Sequence, residues 1–530
     1  MEMKQFRLIS LKLKGHKYLG DLELNFCNTD DLNYSSLYNT IIIGPNGTGK
    51  SYILSIIVDL FRELYIIIKD IENGKRKGLV NGLFSLIYSI DGIQYCYRNI
   101  TKSKGPRDFS EGGVPSGRNW REQKYFLEKD GLNISRNEIE LPVGILASSF
   151  MLTDKFVFLT KPEDFSIYKY LGIRGTPSTA GTRSYIRNTV NALVNAIENA
   201  SFNETLIEVL DFLDLDKSIT LNYSIKRKKD FFKEVVDETT FHKFFQNYEN
   251  QWLIKKDKEQ REIIPWYGYI YYKKIEKDKQ IIKSIVEFCI ENFSDKDFVL
   301  YDVLKEDKLL KKDFSILGHL DKLNLINYPD LIVKKAENIY SFEGTSSGEA
   351  HFLSSIIGIL ANIKENSIVL IDEPEISLHP NWQMKYLNFL NKTFAKYSSC
   401  HFIISTHSHF LISDLKAENS KIIALKREKE IVNDKNKNEI KIVDLPYNLN
   451  TYGWSAEDVL YNVFNVVSTR NKFVADDIAK ILNYLSQGDK NKVNKLSEKQ
   501  YNELLELEAA LKDNDPLKTV VKKILTKVSK

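Results

Sequence analysis

A chain of 530 residues is too long to fold around one hydrophobic core, so two or three structural units are expected. Its 43% hydrophobic content is that of an ordinary globular protein. Its 75 basic against 71 acidic residues leave a net charge of only +4, which excludes coating of nucleic acid by overall charge and confines any such contact to a local patch.

Taken in chain order, Met1 to Lys14 alternates charged and apolar residues without the apolar core of a signal peptide. No later run reaches the length that spans a bilayer, so a cytoplasmic protein with no membrane partner is expected. Residues 6 to 13 (Phe6, Leu8, Ile9, Leu11, Leu13) and 22 to 26 (Leu22, Leu24, Phe26) carry strand-like alternation, with Gly15 and Gly20 as turn signals, and predict a hairpin. Thr40-Ile41-Ile42-Ile43 is a short apolar run of the kind found in buried parallel strands, and Ser51 to Ile68 has helical spacing. Phe84 to Ile90 and Gln94 to Ile100 flank Asp91-Gly92 and predict a second hairpin. Lys102 to Arg121, rich in Gly, Pro and Ser, reads as a surface loop, and Pro142 to Ala147 as a return to the core.

From about 155 to 335 the pattern is mainly helical and charged, without sustained heptads, which predicts a helical insertion and not a long coiled coil. Ser367 to Ile371 and His401 to Ser405 are apolar runs that complete a parallel sheet. Beyond 415 a strand pair around a polar turn at 428 to 440 leads into a helical tail. The expected fold is therefore α/β, a mainly parallel sheet core with an antiparallel β subdomain. Its expected division is an N-terminal lobe (1–154), a helical insertion (155–335), a C-terminal lobe (336–415), and a strand pair with a helical docking region (416–530). Cys27, Cys96, Cys289 and Cys400 lie far apart with no CxxC pair, against a zinc site or a disulfide framework.

Gly44-Pro45-Asn46-Gly47-Thr48-Gly49-Lys50-Ser51 fits G-x-x-x-x-G-K-[ST] between a predicted strand and a predicted helix. Glycines there let backbone N–H groups approach phosphates, the helix start adds positive potential, Lys50 reaches the β/γ-phosphates and Ser51 can ligate Mg²⁺. Asp372-Glu373, at the end of an apolar strand, is the matching half: Asp372 placed for Mg²⁺, Glu373 to orient or deprotonate the attacking water of ATP hydrolysis. Ser346-Ser347-Gly348-Glu349 precedes an apolar helical run (Phe352, Leu353, Ile356, Ile357, Leu360) and opens it where an anion is favoured; by itself it would read as a helix cap.

Together these motifs resemble the ABC-type ATPase heads of the SMC, RecF and OLD-like group, over about 1–60, 140–155 and 340–415. The resemblance implies that Ser346, Ser347, Gly348 and Glu349 contact the γ-phosphate held by an opposite subunit, in a homodimer with ATP sandwiched between heads or a higher oligomer built from it. It implies that Leu378-His379-Pro380 packs across that dimer, and that His407, in Ser405-Thr406-His407-Ser408, senses the γ-phosphate. Ala147-Ser148-Ser149-Phe150 departs from the pattern, standing where many such heads carry a glutamine near Mg²⁺. Toprim metal ligands of OLD-like nucleases are not recognisable, Asp476-Asp477 lying in a helical pattern.

The remaining resemblance is to stand-alone ATPases of bacterial anti-phage systems of the Septu type (PtuA), carried by Ser149-Phe150, Asp154-Lys155-Phe156, Tyr170-Leu171-Gly172 and Trp454 to Leu460. It implies a sensor or regulator that controls a separate HNH nuclease, in some systems beside the reverse transcriptase of a retron and its RNA/DNA product. A self-contained OLD-like nuclease and a RecF/SMC-like repair ATPase stay open as alternatives. Lys226 to Lys229 with Phe231 and Phe232, and Lys255 to Lys279 around Trp266, Tyr267, Tyr269, Tyr271 and Tyr272, are candidate nucleic-acid stretches, weakened by interleaved acids. Val521, Ile524, Leu525 and Val528 among lysines form a stripe that fits a partner or the chain's own core.

Overall fold

The computed structural model describes residues 5–27, 36–69, 79–100, 124–149, 151, 153–159, 161–174, 182–226, 229–259, 266–336, 338–342, 347–376, 378–413, 415, 417–432, 435–443, 445, 451, 454–462, 498–510, 518–519, 521–522 and 525–526. Ser346, Phe150, the loop expected at 102–121 and Asp476-Asp477 lie outside them.

The central sheet has seven strands in the order Lys435–Val443, Ser420–Val432, Tyr38–Ile43, His401–Thr406, Ser367–Asp372, Gly144–Ser149, Tyr168–Tyr170. All neighbours run parallel except the terminal hairpin pair. The four inner strands from Tyr38–Ile43 to Gly144–Ser149 are buried at every position, which is why they read as unbroken apolar runs: both faces are covered, so no polar alternation is needed.

A second, six-stranded antiparallel sheet holds both expected hairpins, in the order Gly20–Asn25, Phe6–His16, Leu83–Ile90, Ile93–Ile100, Lys124–Lys129, Leu132–Asn133. Asp91 and Gly92 have φ of 56° and 79°, the two positive values that a two-residue hairpin turn requires. The helix Lys50–Lys69 lies in the core shared by the two sheets: Ile53, Ile57 and Phe61 cluster with Leu8, Leu11, Phe84 and Tyr88 of one sheet and with Ile42, Leu370 and Ile403 of the other. Burial on both sides anchors the loop that precedes this helix.

The insertion is helix-rich and also contains structure that its helical pattern did not disclose. Its strands Phe298–Asp302, Ile219–Ser224 and Asp330–Lys335 form, with Asn338–Ser341 beyond its expected end, a four-stranded antiparallel sheet in that order. They are four to six residues long and half polar (Ile219, Leu221 and Tyr223 buried, alternating with Thr220, Asn222 and Ser224), too short to stand out among long charged helices. Tyr168–Tyr170 also leaves the insertion to pair with Gly144–Ser149. Phe231 and Tyr272 are fully buried, and Phe245 stacks on Tyr272 at 4.3 Å, so these aromatics of the two basic stretches form the insertion's core and are not platforms for bases; Tyr267 alone among those named is strongly exposed.

The boundary expected at 415 falls inside the sheet, because Ser420 to Ala424 pairs in parallel with Asn39 to Ile43. The turn expected at 428–440 is likewise mostly strand, since polar residues on both faces of a hairpin leave no periodic signal. Met1–Trp454 forms one compact unit and Ser455–Lys530 a second. In the second unit, Val521 and Leu525 pack on Leu504 of the helix Glu498–Ala510, which gives that part of the apolar stripe an internal partner.

Candidate active site

The site forms at the C-terminal ends of the parallel strands, because register brings four ends level: Thr406 pairs with Ile43, and Asp372 with both Ser405 and Ser149. The loop from Gly44 turns on positive φ at Gly47 and Gly49 (82° and 84°), after which Ile53 N–H bonds to Gly49 O at 2.9 Å and the helix begins. Thr48 Oγ1 donates to Pro45 O at 2.8 Å and closes the turn. A Cβ on Gly44 would stand 2.5 Å from the carbonyl oxygen of Leu425, and one on Gly49 2.2 Å from Leu19, so the loop is a cradle that side chains would fill. Asn46 and Gly47 at its crest are exposed.

Lys50 is buried, and its Nζ donates to Gly44 O at 2.8 Å. The ring nitrogens of His407 stand 3.0 Å (Nδ1) and 2.9 Å (Nε2) from the same Nζ, and Nε2 lies 2.8 Å from Glu373 Oε1. One tautomer satisfies both neighbours: Nδ1 accepts from Lys50 while Nε2–H donates to Glu373. Burial pushes the Lys50 ammonium down to about 8, against the pull of Glu373, Glu375 and Asp372. Glu373 is held below the usual carboxylate range, first by the His407 hydrogen bond. Its φ of +51° is left-handed, with its N–H on Ser405 O at 2.9 Å, so the chain leaves the strand just where the acid pair sits.

Asp372 is 1% exposed, and burial pushes it up to about 6 although two hydroxyls oppose the shift. Its Oδ1 accepts from Ser51 Oγ at 3.1 Å and from Ser405 Oγ, while Oδ2 is buried with no partner among the described residues. A buried carboxylate with one unused oxygen beside a serine hydroxyl is an oxygen donor set that suits Mg²⁺. Ser148 and Ser149 behave differently: Ser148 Oγ bonds Ser355 Oγ at 2.8 Å on the helix Ser347–Asn362, whereas Ser149, level with Asp372, accepts from Met151 N–H at 3.2 Å. Gly348 and Glu349 lie in the first turn of that helix.

His379 caps the helix Pro380–Thr393, accepting from Asn381 N–H at 3.3 Å with Pro380 in the first turn. Several site residues escaped the sequence reading. Glu375 accepts the His407 N–H at 2.5 Å and so fixes the segment Thr406–Ser408. Gln383 donates to Leu378 O at 2.8 Å and accepts from Ser408 Oγ at 2.5 Å, tying that segment to the one after the acid pair. Glu375 completes Asp-Glu-Pro-Glu, a pattern visible in the sequence; Ser405 stood there only as the head of Ser405-Thr406-His407-Ser408, without its bond to Asp372, and Gln383 carries no local signal. Behind Asp372, Arg174 grips Asp154 with Nη2 at 2.5 Å and Nε at 2.9 Å, and Tyr170 donates to Asp154 at 2.7 Å. This brace joins two of the segments singled out in the sequence.

The family described as AAA ATPase domain matches residues 7–412. Septu protein PtuA of Bacillus thuringiensis is 24% identical over 247 residues, covering 43% of this chain and 58% of that protein. Retron Vc95 probable ATPase of Vibrio cholerae serotype O1 biovar El Tor is 24% identical over 263 residues, 43% of this chain and 49% of that one. The match thus spans about half the length of these relatives. Among solved structures, the Smc head bound to the C-winged helix domain of ScpA covers 83% of this chain and 98% of its own at 12% identity, with a TM-score of 0.34.

Proposed function

Because the chain belongs to the AAA ATPase domain family, we propose that it binds and hydrolyses ATP with Mg²⁺ as the sensor or regulator subunit of an anti-phage defence complex. In this reading, nucleotide-driven pairing of two heads controls a separate effector nuclease of the HNH type, in the cytoplasm. The observation that carries the ATPase part is the meeting of Lys50, Ser51, Asp372, Glu373 and His407 at one end of one sheet, from segments more than three hundred positions apart. The names of the relatives, a Septu protein and a retron ATPase, support the defence setting and an association with a retron, and with it the reverse transcriptase and RNA/DNA product of this reading.

The loop amides and Lys50 take the β/γ-phosphates, and Ser51 and Asp372 hold the metal, which when bound neutralises developing phosphate charge. Glu373, kept ionised, accepts a proton from the attacking water, and His407 lies within reach of both Glu373 and Lys50. A γ-phosphate on Lys50 competes for the ammonium that His407 now engages, which couples occupancy of the loop to the freedom of Glu373. Ser346, Ser347, Gly348 and Glu349 complete the pocket of a second copy.

The test is Glu373→Gln. It should keep ATP affinity, lower turnover by about a hundredfold or more, and accumulate dimers in Mg·ATP when followed by light scattering. Unchanged turnover would remove Glu373 from the chemistry. DNA cleavage by the purified chain alone with Mg²⁺ or Mn²⁺ would overturn the division of labour with a partner nuclease.

A further inference from the structure

The terminal hairpin, Ser420–Val432 with Lys435–Val443, does more than extend the sheet. Its first strand runs parallel to Tyr38–Ile43 as far as Ala424 opposite Ile43, so the residues that follow overhang the loop starting at Gly44. Three contacts define that overhang. The carbonyl oxygen of Leu425 lies 2.5 Å from the point where a Cβ on Gly44 would stand, Ile440 Cδ1 lies 3.5 Å from that point on Gly49, and Arg427 Nη1 lies 3.5 Å from it on Gly47. Leu425 and Arg427 are two positions apart and share a face of the strand, and Ile440 is the cross-strand partner of Arg427. Leu425 and Ile440 are buried in the core cluster that includes Leu19 and Ile53.

Arg427 is different from its neighbours. It is exposed and, among the described residues, has no hydrogen bond or ion pair, whereas Lys426 and Lys441 both bind Glu428, at 2.7 and 3.1 Å. The other cation of the loop, Lys50, is engaged by Gly44 O and His407. An unpaired guanidinium on a strand paired on both sides, beside a loop of amide donors, is a fork shaped for phosphate oxygens. It also lies beyond residue 412, where the family match ends.

We propose that Arg427 is a phosphate-binding residue of the nucleotide site, reaching from the terminal hairpin over Gly47 to the polyphosphate of bound ATP. This rests on the nucleotide reading above. It makes the hairpin the outer wall of the pocket, so that nucleotide occupancy and the position of the hairpin are linked.

The experiment compares the full-length parent, Arg427→Ala, Arg427→Lys and Lys50→Ala by calorimetric binding of Mg·ATP and of inorganic tripolyphosphate, with a nucleotide-free melting curve for each. Arg427→Ala should weaken both ligands about 10- to 100-fold, as expected for loss of charge-assisted hydrogen bonds, and melt as the parent does, because the side chain is exposed. Arg427→Lys should recover part of the affinity. Unchanged affinity for both ligands overturns the proposal, as does a loss for ATP with none for tripolyphosphate, which would place the guanidinium on the base or ribose. If Lys50→Ala binds ATP normally, the nucleotide site itself is wrong; if Lys50→Ala loses binding and Arg427→Ala does not, only the role of Arg427 falls.

Discussion

Replacing Lys50 with methionine should make the nucleotide-free protein more stable while removing its response to ATP. The ammonium is buried, and its ordinary value of 10.5 falls to about 8, a displacement that corresponds to about 3 kcal/mol of charge burial at neutral pH. Methionine keeps the length and apolar stem but leaves the Gly44 carbonyl and His407 Nδ1 without their ammonium donor, a loss of about 2 kcal/mol. The net gain at pH 7 is then about 1 kcal/mol. The pH dependence has a definite sign. The unfolded chain holds the lysine proton to about 10.5 and the folded chain only to about 8, so folding releases a proton between those values and the parent gains stability as pH rises through them. The advantage of Lys50→Met should therefore be full below pH 8 and shrink toward pH 10. Thermal melts of both proteins at pH 7 and pH 9.5, with and without Mg·ATP, would show it. A variant less stable than the parent at pH 7, or one that Mg·ATP stabilises as much as the parent, would refute the argument that this loop stores an unfavourable buried charge until phosphate arrives.

Other perturbations follow from the same geometry. Gly49→Ala puts a side chain at a φ of 84° and against Leu19, at a cost of about 1–3 kcal/mol; its melting point should fall and its ATP affinity should drop at least about tenfold, since Leu19 and the loop must part. Arg174→Ala strands the fully buried Asp154 carboxylate and should destabilise the protein by about 3–5 kcal/mol, measured by denaturant unfolding. Tyr170→Phe, which removes the hydroxyl that donates to Asp154 and accepts from Arg174 Nε and N–H but leaves the ion pair, should cost only about 1–2 kcal/mol. Equal losses for the two would show that the ion pair is not the brace it is taken for.

The motif residues were legible in the sequence because their requirements are local. Gly47 and Gly49 stand where the chain needs positive φ, the four inner strands need apolar residues on both faces, and Asp372-Glu373 ends such a strand. Asp91-Gly92 announced a hairpin for the same reason: two residues sufficed to specify its turn. The short strands of the insertion were not legible, because a six-residue alternation such as Ile219 to Ser224 carries little signal among long helices and is stabilised by partners 74 to 114 positions away.

The glycine-rich loop, the acid pair and the parallel core were legible residue by residue, since each is encoded within a few consecutive positions whose backbone and burial requirements only certain side chains meet. How they come together is set by long-range pairing. Lys50 and His407 are 357 positions apart and Ser51 and Asp372 321, and the strand register alone brings them within a hydrogen bond. Arg427 reaches Gly47 only because the strand after Thr406–Ser408 pairs with the one before the loop, a pairing set by long-range hydrogen bonds that leave no mark on the residues around Arg427.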